Sequence, residues 1–349
     1  MNAPLAPSNV ENALARALQT QVPFVERPFA ALGEPLGLSE AEVLRVLRTW
    51  REDGRLREIS AILEGSALGY DSALVAGKVP EARLDAVAEI VNGHPTVTHN
   101  YVRGHEYNLW FTIAVPFEIG LERTLEQLAR ACEVDRFHAL RRTHTFKVGV
   151  NFDLETRASA TEVVPLAAAR AVRVGERERS LFRALQAPLA LEERPFAGLA
   201  AAVGAGEEEL LAFARGHLGN AMRRYVGTFR HRRLGVHGNG MVVWRVPEAE
   251  LPRVGPELAA TREVSHCYAR NAIPGFPYTL YSMVHGPTEE ACREVAAGAV
   301  ARIGDWERLI LFSSRELKKC RLRYFLPELD AWRAPTPRAS SSRVSLPAA

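Results

Sequence analysis

Apolar positions along the chain recur with two periods, about 3.6 and about 2, and the switches between them lay out its elements. Asn12 to Gln19 carries a short helical stripe. Leu38-Ser-Glu-Ala-Glu42 then opens a helix: Ser39 fits the N-cap, and Glu40 and Glu42 sit in the first turn. Leu44, Leu47 and Trp50 share a face, and Asp53-Gly54 stops the helix. Leu56, Ile59 and Ala61 lead into an extended stretch. Helix, turn, helix, then a β-wing is the layout of a winged helix-turn-helix. Tyr70 to Val79 alternates as a strand, and Glu81 to Val91 puts Leu84, Val87, Ala88 and Val91 on one helical face. Thr96 to Val115 flanks Gly104 with two β-rich runs, which predicts a hairpin. Gly120 to Cys132 predicts a second helix with Leu121, Leu125 and Leu128 inward, and His144 to Phe152 a last strand. That order, β-α-β-β-α-β, is the ferredoxin-like motif.

The hairpin is unusual chemically. Residues two apart on a strand share a face. His99, Tyr101 and Arg103 therefore point one way, as do His105 and Tyr107, where a core strand would be aliphatic. The same face recurs downstream as His266, Tyr268 and Arg270. The offset is constant: 266 − 99 = 167, and the Glu-Arg-Pro-Phe-Ala strings around Arg27 and Arg194 give 194 − 27 = 167. Tyr278 − Tyr107 gives 171, so the second hairpin loop is longer. Two anchors at one offset predict a tandem duplication. The expected fold is α+β: winged helix-turn-helix (10–66) and ferredoxin-like (67–152) domains, a linker (153–175), the same pair again (176–233 and 234–326), and a disordered tail (334–349).

Composition changes this picture little. The 349 residues are 47% hydrophobic and 24% charged, enough for sizeable cores. A net charge of +3 is too weak to argue nucleic-acid binding. The excess of Arg over Lys suits carboxylates and phosphates, although Arg-rich usage also follows from a high-GC genome. Four cysteines, none spaced as Cys-x-x-Cys, predict free thiols in a reducing cytoplasm. No run is long enough to span a membrane, and without a basic region followed by an apolar core no signal peptide is expected.

The two-domain layout resembles the Lrp/AsnC class, and the hairpin strings narrow the resemblance. His99-Asn-Tyr-Val-Arg103 with Tyr107-Asn-Leu-Trp-Phe-Thr112 is similar to the D-type subunit of siroheme decarboxylase. Tyr268-Ala-Arg270 with Phe276-Pro-Tyr-Thr-Leu-Tyr-Ser-Met-Val-His-Gly286 is similar to the L-type subunit. The resemblance covers nearly the whole chain except the termini and linker. It implies removal of two acetate carboxylates from siroheme, giving didecarboxysiroheme on the route to haem d1. It implies no cofactor beyond the substrate, which brings its own iron. It also implies two halves paired like a D–L heterodimer, with related G-type and H-type subunits as further partners.

Siroheme is a flat iron tetrapyrrole with many carboxylates, so its site needs an apolar slot, cationic clamps and an acid. Arg103, Arg270, Arg141 and Arg142 are the clamp candidates; a solvated charged face is the alternative, evenly weighted for Arg141 and Arg142. His99 and His105 are the acid candidates of the first half, and either could ligate the substrate iron. His266 takes that place in the second half, where His105 has no counterpart; His144 is a secondary candidate. Tyr101, Tyr107, Tyr268 and Tyr278 could donate hydrogen bonds or line the slot. Trp110, Phe111 and Tyr281 read as core, and His231-Arg-Arg233 as a surface turn. Two rival readings stand: a DNA-binding regulator and a haem sensor without turnover. The three glutamates Glu207 to Glu209 opening the second reading helix argue against DNA.

Overall fold

The computed structural model describes residues 7–148, 151–152, 159–160, 170–229 and 238–333. The first half runs α1 (Pro7–Thr20), α2 (Pro28–Gly33), α3 (Glu40–Glu52), β1 (Leu56–Leu63), β2 (Tyr70–Gly77), α4 (Leu84–Asn92), β3 (His99–Arg103), β4 (Leu109–Pro116), α5 (Leu121–Cys132) and β5 (Phe137–Lys147). A short ribbon, β6 (Asn151–Phe152) with β7 (Ser159–Ala160), follows. The second half runs α6 (Glu176–Gln186), α7 (Pro195–Ala201), α8 (Glu207–His217), β8 (Met222–Phe229), β9 (Gly238–Trp244), α9 (Leu251–Ala259), β10 (Val264–Arg270), β11 (Leu280–Gly286), α10 (Glu289–Ile303), β12 (Arg308–Lys319) and α11 (Asp330–Arg333). Three helices and a strand, then β-α-β-β-α-β, thus occur twice.

Local chemistry repeats with the elements. Pro28 and Pro195 occupy the first turns of α2 and α7, where a missing N–H costs nothing. Ser39 and Glu42 close a full capping box on α3. Arg27 pairs with Glu40 and Arg194 with Glu207, and each arginine also reaches the other half, to Glu193 at 3.0 Å and Glu26 at 3.1 Å. Both arginines are more than half exposed, so each pair adds at most about 1 kcal/mol.

The wing strands pair across the halves: β1 runs antiparallel to β8, Ser60 opposite Val226. A lone strand leaves its backbone groups unpaired, and the twin strand supplies them. The last strand begins at Phe137, not His144, because it serves two partners in turn. Phe137 to Arg141 pair with β2, then Arg142 to Lys147 with β10. In the same way β12 pairs first with β9 and then with β3. The two four-stranded sheets therefore close into one eight-stranded barrel, β10-β11-β9-β12-β3-β4-β2-β5. Most of the expected linker, the tail and His231-Arg-Arg233 lie outside the described residues.

Packing welds the halves. One core joins Trp50, Phe29 and Leu47 of the first helix-turn-helix to Phe182, Phe196 and Tyr225 of the second. Phe24 meets Phe196 at 5.8 Å and Tyr225 at 5.3 Å, and Trp50 meets Phe229 edge-on at 5.6 Å. Such pairs are worth about 0.5–1.5 kcal/mol each beyond burial. They outweigh the surface ion pairs at the same seam.

Candidate active site

Alternation along the barrel strands separates two faces. Val75, Phe111 and Val102 pack under α4 and α5, and Val242, Cys267 and Ala269 pack under α9 and α10. The opposite face forms the barrel interior, with Ala76, Trp110, Leu140, Val243, Tyr281 and Leu311 from six different strands. Since Val102 faces the helices, Tyr101 and Arg103 on either side of it face inward. Cys267 and Ala269 fix Tyr268 and Arg270 inward by the same rule.

The two inward ladders match closely. His99 Nδ1 lies 3.0 Å from Thr98 Oγ1, and His266 Nδ1 lies 3.0 Å from Ser265 Oγ. The His99 and Tyr101 rings are 6.2 Å apart, and those of His266 and Tyr268 are 6.0 Å apart. Arg103 stacks over Tyr101 at 5.5 Å and Arg270 over Tyr268 at 5.3 Å. Each arginine then donates across the seam: Arg103 Nη1 to the Leu311 carbonyl at 2.5 Å, Arg270 Nη1 to the Leu140 carbonyl at 2.8 Å. The Nε of each is buried without a hydrogen-bond partner among the described residues.

Electrostatics give the ladders different characters. Burial, then the positive charges of Lys319 and Arg57, push His99 down to about 4, against a weaker pull from Glu316. Burial pushes Arg103 down to about 10 and lowers Arg270 as well. Beside the second ladder, Arg142 stacks over Tyr268 at 5.9 Å and approaches Glu64 at 4.0 Å. Arg223 donates Nε to the same Glu64 carboxylate at 2.6 Å. Burial alone would raise the Glu64 carboxyl, but Arg223, Ser66 and Arg142 hold it below the usual carboxylate range.

The structure does not bring all the expected residues together. Arg141 points to the other face, where it binds Asp71 at 2.9 Å and Glu122 at 2.8 Å; its neighbour Arg142 takes the inward position. Tyr107 is 1% exposed and donates its hydroxyl to the Pro274 carbonyl at 2.6 Å, plugging the barrel at the hairpin end. His105 sits at that end too, accepting the Tyr107 N–H at 3.0 Å and meeting Phe276 edge-on at 5.2 Å. His99 and Arg103 alone are about 13 Å apart at strand rise, so the two histidines lie at opposite ends of the ladder. Tyr278 bonds Glu307 at 3.3 Å, and His144 stacks on Phe146 at 6.0 Å. Trp110, Phe111 and Tyr281 are core, as expected.

Sequence reasoning missed Arg57, Lys319, Arg223 and Glu64. The repeat carried a signal for two of them, since Arg57 and Arg223 occupy matching wing positions (223 − 57 = 166). A cavity of about 160 Å³ between Tyr70, Arg179, Arg183 and Phe325 includes no ladder residue. It falls well short of the roughly 300–1,000 Å³ of ordinary ligand pockets.

Comparison with known proteins agrees with this architecture. A family profile described as AsnC-like ligand binding domain matches residues 67–147 and 233–318. A second, described as siroheme decarboxylase NirDL-like HTH domain, matches residues 11–57. A siroheme decarboxylase of Hydrogenobacter thermophilus is 37% identical over 321 residues, 91% of this chain and 96% of that one. A siroheme decarboxylase NirDL subunit of Paracoccus pantotrophus is 34% identical over 310 residues, 86% of this chain and 93% of that one. The crystal structure of a siroheme decarboxylase NirDL in co-complex with an iron-uroporphyrin III analogue superposes with a TM-score of 0.76 at 33% identity, covering 93% of this chain and 97% of that one.

Proposed function

The chain belongs to the siroheme decarboxylase family, and from that premise we propose how its own residues remove two acetate carboxylates from siroheme. The observation that carries the reading is the inward His99–Tyr101–Arg103 ladder, whose buried Arg103 Nε has no partner among the described residues. A substrate carboxylate that is to be retained would accept from Arg103. The acetate that reacts loses carbon dioxide: its carbon–carbon bond breaks, the electron pair stays on the methylene carbon, and a proton converts that carbon to methyl. The macrocycle itself spreads the developing charge, so no organic cofactor is needed. His99 would deliver the proton. Its neutral form prevails before substrate arrives, and carboxylates entering beside it favour the imidazolium, so the proton is taken up with substrate. With Nδ1 engaged by Thr98, Nε2 is the atom left to meet a ring carbon or the substrate iron. Tyr101, between the tilted His99 ring and the Arg103 guanidinium, would orient both. We assign His105 and Tyr107 to closing the hairpin end.

The repeated element order and the two profile matches support a tandem duplication of the winged helix-turn-helix and ferredoxin-like pair, divided near residues 66, 153–175 and 233. The halves take the place of D-type and L-type partners, since the barrel closes within one chain. G-type and H-type relatives would form additional complexes. The helix-turn-helix units would act as walls and not as DNA readers. Arg48 of α3 and Arg215 of α8, which a groove would need, donate to the Leu191 and Phe24 carbonyls at 2.8 and 2.9 Å. No helix among the described residues is long and apolar enough to cross a membrane, and the cysteines are free, which supports a reducing cytoplasm. Anaerobic incubation with siroheme followed by mass spectrometry tests the reading: loss of two carboxyl groups is expected, and siroheme returned intact would refute it.

A further inference from the structure

We infer that the chain holds one productive tetrapyrrole site, the first ladder, and that Glu64 closes the second by occupying it with the protein's own carboxylate. The inference rests on the siroheme reading above. The ladders match, yet their surroundings do not. Beside His266–Tyr268–Arg270 stand the barrel residue Arg142 and the wing residue Arg223, and both converge on Glu64. Glu64 is 5% exposed, and Ser66 Oγ donates to it at 2.8 Å, so its position is fixed from several sides. Tyr324, itself 8% exposed, packs on the adjoining Gly65, where an added Cβ would fall 2.7 Å from its hydroxyl. An incoming carboxylate would have to displace a carboxylate already held.

Beside His99–Tyr101–Arg103 the situation is reversed. Arg57 and Lys319 are exposed, lie near enough to bias His99, and have no side-chain partner among the described residues. The position matching Arg142 is Ser313 (313 − 142 = 171), and each faces its ladder arginine in strand register. Ser313 Oγ and Arg103 Nε are both buried without a partner among the described residues. The first site thus presents Arg57, Lys319 and two unmet polar atoms to a polycarboxylate; the carboxylate across from Tyr101, Glu316, is exposed and acts on His99 more weakly than the two cations. By sequence the position matching Glu64 is Arg230 (230 − 64 = 166), so the closing carboxylate has no twin.

The test is an anaerobic titration of the full chain with siroheme, read by tetrapyrrole absorbance. Wild type should bind one equivalent. Arg57→Ala with Lys319→Ala, both exposed side chains, should weaken that equivalent about tenfold or more. Glu64→Gln should admit a second equivalent without altering the first. Two equivalents in wild type, an equivalent indifferent to Arg57 and Lys319, or a folded Glu64→Gln protein still saturating at one would each overturn the inference while leaving the siroheme reading intact. No binding by any form would overturn both.

Discussion

Arg103 of the first half donates to the main-chain carbonyl of Leu311 in the second, at 2.5 Å, and Arg270 returns the contact to Leu140 at 2.8 Å. Arg103, the proposed substrate clamp, and its twin Arg270 are therefore also stitches between the halves. One Nη is spent on the seam; the buried Nε has no hydrogen-bond partner among the described residues. Arg103→Ala should lose both roles. Thermal unfolding should show a cost of about 1–3 kcal/mol, from an orphaned carbonyl and a vacated buried volume. Arg103→Lys should recover part of the stability and little of the siroheme affinity, because an ammonium cannot serve two directions as a guanidinium does.

Acid should weaken the fold through two buried histidines. Burial, with Lys318 or with Lys319 and Arg57 nearby, pushes His94 and His99 down to about 4. Both are lowered, so between pH 6.5 and 4 the unfolded chain binds protons that the folded chain refuses. Stability should be flat above pH 6.5 and fall on acidification, with an upper bound of about 3 kcal/mol per histidine. Melting curves across that range check this, and the slope should shrink when His94, stacked at 4.3 Å on Trp332, is replaced by Phe.

Those histidines illustrate what could be read from the sequence. The ladder was legible because a strand's period of two puts His99, Tyr101 and Arg103 on one face, and because the offset of 167 repeats it. The βαββαβ order was legible for the same local reason. Strand partners were not. Nothing local says that β1 takes β8, or that β5 changes partner between Arg141 and Arg142. That change decides what the two adjacent arginines meet, Asp71 for Arg141 and Tyr268 for Arg142. Glu64 was invisible because its burial depends on Arg223 and Arg142, each distant in sequence.

Close approach at the seam gives a packing prediction. A Cβ on Gly255 of α9 would fall 2.4 Å from the Phe146 ring of β5, which belongs to the other half. Gly255→Ala should cost about 1–3 kcal/mol as the ring is displaced. Urea unfolding should show this as a lower midpoint with an unchanged slope.

The helix-turn-helix arginines should matter for folding and not for DNA. Removing Arg48 or Arg215 deletes a bond to the opposite half, Leu191 or Phe24. Each alanine should lower stability by about 1 kcal/mol. Gel shifts at physiological salt should show wild type and variants equally unable to retain duplex DNA, and a wild-type-specific shift would revive the regulator.

The central claim is that His99 delivers the proton that completes decarboxylation. Its most direct test is a single-turnover incubation with siroheme, product mass read by spectrometry, comparing wild type, His99→Ala and His105→Ala. The account predicts didecarboxylated product from wild type and from His105→Ala, and a loss of roughly 10²–10⁴-fold in rate for His99→Ala. His99→Ala turning over like wild type, with His105→Ala inert, would move the chemistry to the hairpin end and contradict it.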